Sequence, residues 1–235
     1  MIENSLTSVK ICGLQSVEML ASIAHLPIDH IGFVFAKSKR RVTPEQASTL
    51  IQYLQNNKSK GAIPLSVGVF VNPSEAELSE LLAVAPLDVV QLHGQESPEF
   101  CGWVKKQFGV QVFKVVSVQK TEDSIPTTEA VASQLNPYLG YIDGLLLDTH
   151  DPVYGGGSGI TFAWDCIPVY QEWTRAAQIK LLVAGGLTPE NVSHLVETYA
   201  PDGVDVSSGV EIDGTKDINK ITSFVERVNR SGTST

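Results

Sequence analysis

Eight short apolar runs, each followed by a stretch of helical pattern, predict an α/β fold of the (β/α)8 (TIM) barrel type. The runs recur along the whole chain with no Pro/Gly-rich linker to split them. They are apolar on both faces, as parallel strands covered by helices must be. Polar residues collect where the runs stop, which is where such a barrel builds its site. An open doubly wound sheet also alternates strand and helix, but the count of eight favours closure. The 235 residues suit one barrel of about 250 residues, so a single domain over residues 1–235 is expected, with residues 230–235 fraying.

The runs fall at residues 9–12, 31–35, 65–71, 89–92, 112–118, 145–147, 181–183 and 203–206. Helical patterns follow at 17–26, 43–55, 72–85, from Ser97-Pro98-Glu99 onward, at 129–135, from Thr161, from Thr188-Pro189-Glu190, and at 216–227. Thr43-Pro44 and Ser97-Pro98 pair a hydroxyl N-cap with proline in the first helical turn, the arrangement that starts a helix at least cost. The segment between residues 117 and 141 carries little pattern until Glu129.

Composition narrows the function. The chain is 43% hydrophobic and 18% charged, enough for a sizeable core. A net charge of −9 argues against nucleic acid or an anionic membrane as partner, while leaving room for a small anionic substrate held by local dipoles. Cys12, Cys101 and Cys166 show neither paired nor metal-ligand spacing, as expected of reduced thiols in a cytoplasmic protein. No signal-like N-terminus and no long apolar run is present in the sequence.

Closure would gather the strand ends at one mouth. Those ends carry Cys12 and Gly13, Arg40 and Arg41, Asn72, His93 and Gly94, Asp148, Gly185 and Gly186, and the run Asp205-Val206-Ser207-Ser208-Gly209. After the sixth run come Gly155, Gly156, Gly157, Ser158 and Gly159. Backbone N–H groups in such turns, together with a helix N-terminus, bind a phosphate without any lysine. Three such clusters after consecutive strands therefore predict a phosphate site on the C-terminal face. Each element also has a plainer reading: Cys12 as a small buried hydrophobe, Asp148 as a turn residue, KSKRR as a solvated charge cluster. His93 is assigned no role, and Cys101 and Cys166 read as inert helix residues.

Together, VKICG, GFVF with SKRRV, GVFVN, VVQLHGQE, LLLDT with GGSG, VAGGLTPENV and GVDVSSGVE resemble the phosphoribosylanthranilate isomerase family of tryptophan biosynthesis, over nearly the whole span from Lys10 to Asp217. The resemblance implies an Amadori rearrangement of N-(5'-phosphoribosyl)anthranilate to 1-(2-carboxyphenylamino)-1-deoxyribulose 5-phosphate, with no cofactor and no metal. It implies Cys12 as general base and Asp148 as general acid. It implies Arg40 on the anthranilate carboxylate and Asp205 on the substrate. Gly156, Gly157, Ser158, Gly159, Gly185, Gly186, Ser207, Ser208 and Gly209 would hold the phosphate. Family members occur as monomers, as dimers and fused to the next pathway enzyme, so monomer or homodimer is expected.

Two departures stand out. Lys39 replaces a common proline, which leaves Arg40 or Arg41 as the carboxylate contact, with register favouring Arg40. Ala163 replaces a frequent aspartate before Trp164. The histidine-pathway isomerase of similar chemistry is disfavoured by Cys12, since an aspartate ends its first strand. Indoleglycerol-phosphate synthase is disfavoured because its catalytic lysines and glutamate have no counterpart pattern. A non-catalytic phosphometabolite-binding barrel is the remaining alternative.

Overall fold

A computed structural model of the protein describes residues 7–57, 63–118, 125–149 and 164–232. Eight parallel strands form the barrel: β1 (Ser8–Cys12), β2 (His30–Val34), β3 (Leu65–Phe70), β4 (Val89–Leu92), β5 (Gln111–Val118), β6 (Gly144–Thr149), β7 (Lys180–Val183) and β8 (Gly203–Val206). Each pairs with the next, and β8 returns to β1 through Ser8↔Gly203 to Ile11↔Val206. That last ladder removes the sheet edges an open doubly wound fold would keep. Around it lie α1 (Val17–Ile23), α2 (Pro44–Asn56), α3 (Glu75–Val84), α4 (Pro98–Phe108), α5 (Thr128–Leu135), α6 (Ile167–Ala177), α7 (Val192–Tyr199) and α8 (Ile218–Gly232).

Local chemistry sets the helix starts. Thr43 and Ser74 each close a reciprocal capping box, with Gln46 and Glu77 respectively. Ser97 and Thr127 accept from Phe100 N and Ala130 N, and each satisfies one donor that the first turn leaves orphaned. Gly109 ends α4 at φ +66°, a conformation that a Cβ would strain.

The base of the barrel repeats one device four times. A carboxylate one residue before each even-numbered strand accepts the backbone N–H near the start of the preceding odd one. Asp29 takes Val9 N at 2.7 Å, Asp88 takes Ser66 N at 2.8 Å, Asp143 takes Val112 N at 2.9 Å and Asp202 takes Leu181 N at 2.8 Å. These charge-assisted bonds fix the stagger of neighbouring strands. Short apolar runs had shown no repeat; the acids just outside them carry it.

Two apolar layers result. The larger packs the outward faces of the strands against the helices, with Ile11, Phe33, Leu92, Leu145 and Phe224 all buried. A smaller one, Val67, Val89, Phe113, Val115, Leu146, Leu182 and Ala184, fills the barrel itself.

Several boundaries differ from expectation. Asp148 does not end its strand: β6 runs on to Thr149, with Asp148 paired to Ser117. Thr188 opens a turn rather than the helix, because Asn191 Oδ1 accepts Thr188 N and Thr188 Oγ1 accepts Glu190 N; α7 begins at Val192. Before α8, β9 (Glu211–Ile212) and β10 (Thr215–Lys216) pair antiparallel. Their connection, Asp213-Gly214, has φ of +50° and +79°, the Asp-Gly hairpin signal. α8 continues to Gly232, and the buried Ser231 donates to Glu197 Oε1 at 3.0 Å. The expected helix start at Thr161 lies outside the described residues. No helix among the described residues is long and apolar enough to cross a membrane.

Candidate active site

The C-terminal mouth of the barrel holds a cavity lined by Cys12, Arg40, His93, Asp148, Gly185, Gly186, Asp205, Ser207, Ser208 and Gly209. Every site residue expected from the sequence and described in the structure therefore converges on one space. Gly156, Gly157, Ser158 and Gly159 lie outside the described residues.

Cys12 is the last residue of β1, buried, and level with Gly32 of β2. Burial pushes its thiol up; Lys10 and Lys216 pull it down and Asp205 pushes it up again, and burial prevails. Asp148 approaches from β6, three strands away around the barrel, also buried. His93 Nε2 stands 3.3 Å from Asp148 Oδ2, within ion-pair range. The same nitrogen makes no hydrogen bond among the described residues. The contact is an ion-pair approach and not a hydrogen bond.

Asp205, on β8, does not reach into the cavity unaccompanied. Both its oxygens accept from Lys10 Nζ at 2.9 Å, and Lys10 is wholly buried. The Lys10 ammonium sits above its ordinary range: burial opposes the charge, and Asp205 and Cys12 together outweigh it. Burial pushes the Asp205 carboxyl up against the pull of Lys10, with Asp148 adding to the rise. The two shifts favour opposite protonation states of one pair. Two equal short contacts to one nitrogen favour the ionic form.

Arg40 follows β2 and lies across Gly13. A Cβ at Gly13 would sit 2.6 Å from Arg40 Cδ, and Gly13 has φ +82°, so both space and backbone require glycine. Glu211, on β9, clamps the guanidinium through Nε at 2.6 Å and Nη2 at 2.8 Å, and accepts from Lys216 Nζ at 2.6 Å. Although burial tends to raise the Glu211 carboxyl, Arg40 and Lys216 hold it below the usual carboxylate range. Arg41 is exposed and pairs through its backbone with Val34; of the two arginines, Arg40 lines the cavity.

After β7, Gly185 and Gly186 turn the chain with φ of +80° and +65°. Asn191 Nδ2 secures Gly186 O at 2.9 Å. A Cβ on Gly209 would collide with the Leu187 carbonyl oxygen, so the loops after β7 and β8 touch backbone to backbone. Ser208–Val210 forms a single 3-10 turn. The peptide groups after β7 and β8 thus lie between Asp148 of β6 and Cys12 of β1 in the strand order. Among the described residues no group of His, Cys, Asp and Glu has the arrangement of a metal site.

Sequence reading missed Lys10, Gln91, Glu211 and Lys216, which all belong to this neighbourhood, and placed His93 at the mouth without a role. Lys10 had a signal: it stands two residues before Cys12 and so shares its strand face. Lys216 had one too, the Asp213-Gly214 hairpin signal, but residues 216–227 read as a helix and the hairpin went unseen. Burial also decides the Cys12 thiol. Cations are present, but burial outweighs them.

Comparison with known proteins agrees with this geometry. Residues 9–227 match the family profile described as N-(5'phosphoribosyl)anthranilate (PRA) isomerase. An N-(5'-phosphoribosyl)anthranilate isomerase of Brevibacillus brevis is 43% identical, over 95% of this chain and 94% of that protein. The Bacillus subtilis isomerase is 33% identical over 95% of each. The crystal structure of the Thermotoga maritima isomerase superposes with a TM-score of 0.75 at 33% identity, covering 95% of this chain and 98% of the other. A phosphoribosyl anthranilate isomerase crystallised with reduced 1-(o-carboxyphenylamino)-1-deoxyribulose 5-phosphate gives 0.73 at 32% identity, over 95% and 98%. The chain belongs to the N-(5'-phosphoribosyl)anthranilate isomerase family.

Proposed function

We propose that Cys12 and Asp148 are the base and the acid with which this isomerase of tryptophan biosynthesis converts N-(5'-phosphoribosyl)anthranilate into 1-(2-carboxyphenylamino)-1-deoxyribulose 5-phosphate. The observation that supports the assignment is their convergence, from β1 and β6, on one cavity that Gly185-Gly186 and Ser207-Ser208-Gly209 also line. Asp148 gives a proton to the furanose ring oxygen, the C1–O bond breaks, and the anthranilate nitrogen takes up the charge as a C1 iminium. The Cys12 thiolate removes the proton at C2, which that iminium has made acidic. The resulting enolamine gains a proton at C1 and loses one from the C2 hydroxyl. C1 is reduced and C2 oxidised within one molecule, so the electron count closes without an outside acceptor.

In the free site, burial keeps Cys12 as a thiol. The iminium brings a positive charge into the same space, and an opposite charge nearby favours the ionised form. The thiol proton leaves to solvent as the substrate's charge arrives, so the base is generated when the substrate needs it. Glu211 occupies Nε and Nη2 of Arg40, which leaves Nη1 to meet the anthranilate carboxylate. Asp205 contacts the sugar hydroxyls. The phosphate sits on the amides of Gly185, Gly186, Ser207, Ser208 and Gly209, with Gly156, Gly157, Ser158 and Gly159 completing the cradle. The enzyme works in the cytoplasm as a monomer or homodimer.

Turnover of freshly prepared phosphoribosylanthranilate, followed by loss of its fluorescence, tests the roles. Cys12→Ser and Asp148→Asn each lower kcat by about two to four orders of magnitude, while affinity for the reduced product analogue changes little. Full activity in either variant overturns the assignment.

A further inference from the structure

We propose that Lys10, admitted to the sulfur by the missing side chain of Gly32, is a positioning residue that sets how readily Cys12 gives up its proton. The inference rests on the reading of Cys12 as the base and adds the group that governs it. Three observations carry it.

Lys10 and Cys12 lie two residues apart on β1, so both point into the barrel. Register then places their cross-strand neighbours: Lys10 is level with His30 and with Asp205, and Cys12 is level with Gly32. The lysine is fully buried, with no surface open to solvent. Finally, one point in space relates the two groups. A Cβ built on Gly32 would lie 2.8 Å from Cys12 Sγ and 3.1 Å from Lys10 Nζ. Glycine there lets nitrogen and sulfur crowd the same spot, and any side chain would wedge them apart.

Asp205 holds the ammonium with both oxygens, which makes the arrangement a three-charge balance. A buried lysine beside a thiol favours the thiolate, and the carboxylate on its other side moderates that pull. The other charged groups facing Cys12 are Lys216 from β10 and Arg40 from the loop after β2. Asp148 and His93 line the same cavity. Of these, Lys10 exerts the strongest pull toward the thiolate.

The test titrates Cys12 in ligand-free enzyme, by its alkylation rate with iodoacetamide against pH, with the modified peptide identified by mass spectrometry. Lys10→Met moves the Cys12 titration up by about one pH unit or more, so alkylation at fixed pH slows about tenfold. Asp205→Asn moves it the opposite way. Gly32→Ala retains every charge and so guards against a Lys10→Met protein that fails to fold; it too raises the titration. In both Lys10→Met and Gly32→Ala the pH profile of kcat shifts with the titration, and KM changes less. A Cys12 titration unchanged in Lys10→Met and in Gly32→Ala overturns the proposal. That outcome is separate from the failure of the base assignment, which is read from the activity of Cys12→Ser alone.

Discussion

His30 should make this barrel lose stability as pH falls, and the size of the loss can be worked from its surroundings. The ring is buried on β2, 5.7 Å from the Phe113 ring, and its Nδ1 has no hydrogen-bond partner among the described residues. Burial, then the cations of Lys10 and Lys180, lower its pKa from 6.5 to about 4. Between those values the unfolded chain binds a proton that the folded one refuses, so stability rises with pH across the window and is lost as pH falls through it. The full shift corresponds to about 3 kcal/mol, of which about 2 kcal/mol is lost between about pH 7 and about pH 5. For a chain of this size that is a fall in Tm of roughly 4–8 °C. His30→Met keeps approximate volume and removes the titrating group. Thermal melts of both proteins over this range should show the variant losing about 2 kcal/mol less on acidification, since the surface carboxylates titrate alike in both and cancel. Equal pH dependence in the two proteins would refute the reasoning.

Three further perturbations separate stability from chemistry. Lys114→Met strands the Glu96 carboxylate, which is 1% exposed and otherwise accepts from Asn72 N and Gly94 N. Removing one partner of such a pair costs about 3–5 kcal/mol, seen as a Tm lowered by roughly 6–20 °C, and Lys114→Met with Glu96→Gln recovers part of it; a loss under about 1 kcal/mol contradicts the account. Asp88→Ala frees the start of β3 by removing the acceptor of Ser66 N and Oγ. It should cost about 1–2 kcal/mol in denaturant unfolding with kcat unchanged, because it lies at the end of the barrel away from the cavity. Gly209→Ala drives the loops after β7 and β8 apart, an overpacking of about 1–3 kcal/mol. KM for the phosphorylated substrate rises about tenfold, whereas a phosphate-free analogue is bound as before.

Strands were legible because an inward and an outward apolar face leave short uninterrupted runs; β4 and β8 match their expected bounds residue for residue. Helix starts were legible wherever a hydroxyl cap stands beside proline or an acid, as at Thr43, Ser74 and Ser97. They failed at Thr188, where the same Thr-Pro-Glu signature makes a local turn that Asn191 captures with its side chain. The Asp213-Gly214 hairpin was written in the sequence and went unread, in the interval between the last expected strand and the last expected helix. That omission cost the most at the site, since the hairpin carries Glu211 and Lys216 to Arg40.

A different limit applies inside the barrel. Lys10, His30, Gln91, Lys114, Asp148 and Asp205 are all buried on strands, where alternation alone expects apolar residues. Burying such groups is costly unless each is paired, and pairing is a property of register between strands, which no single strand reveals. Lys10 meets Asp205 only because β8 closes on β1 level with it. Lys114 meets Glu96 only because the loop after β4 folds back toward β5. Chain order places these partners far apart, and closure makes them neighbours. The cost is concentrated near the mouth, where charges near a reacting sugar are useful. The base, by contrast, spends its carboxylates on backbone N–H groups, which settle register without placing a charge in the core. The division between the two ends explains why the acids that stabilise the barrel flank its strands, whereas those assigned to its chemistry lie within them.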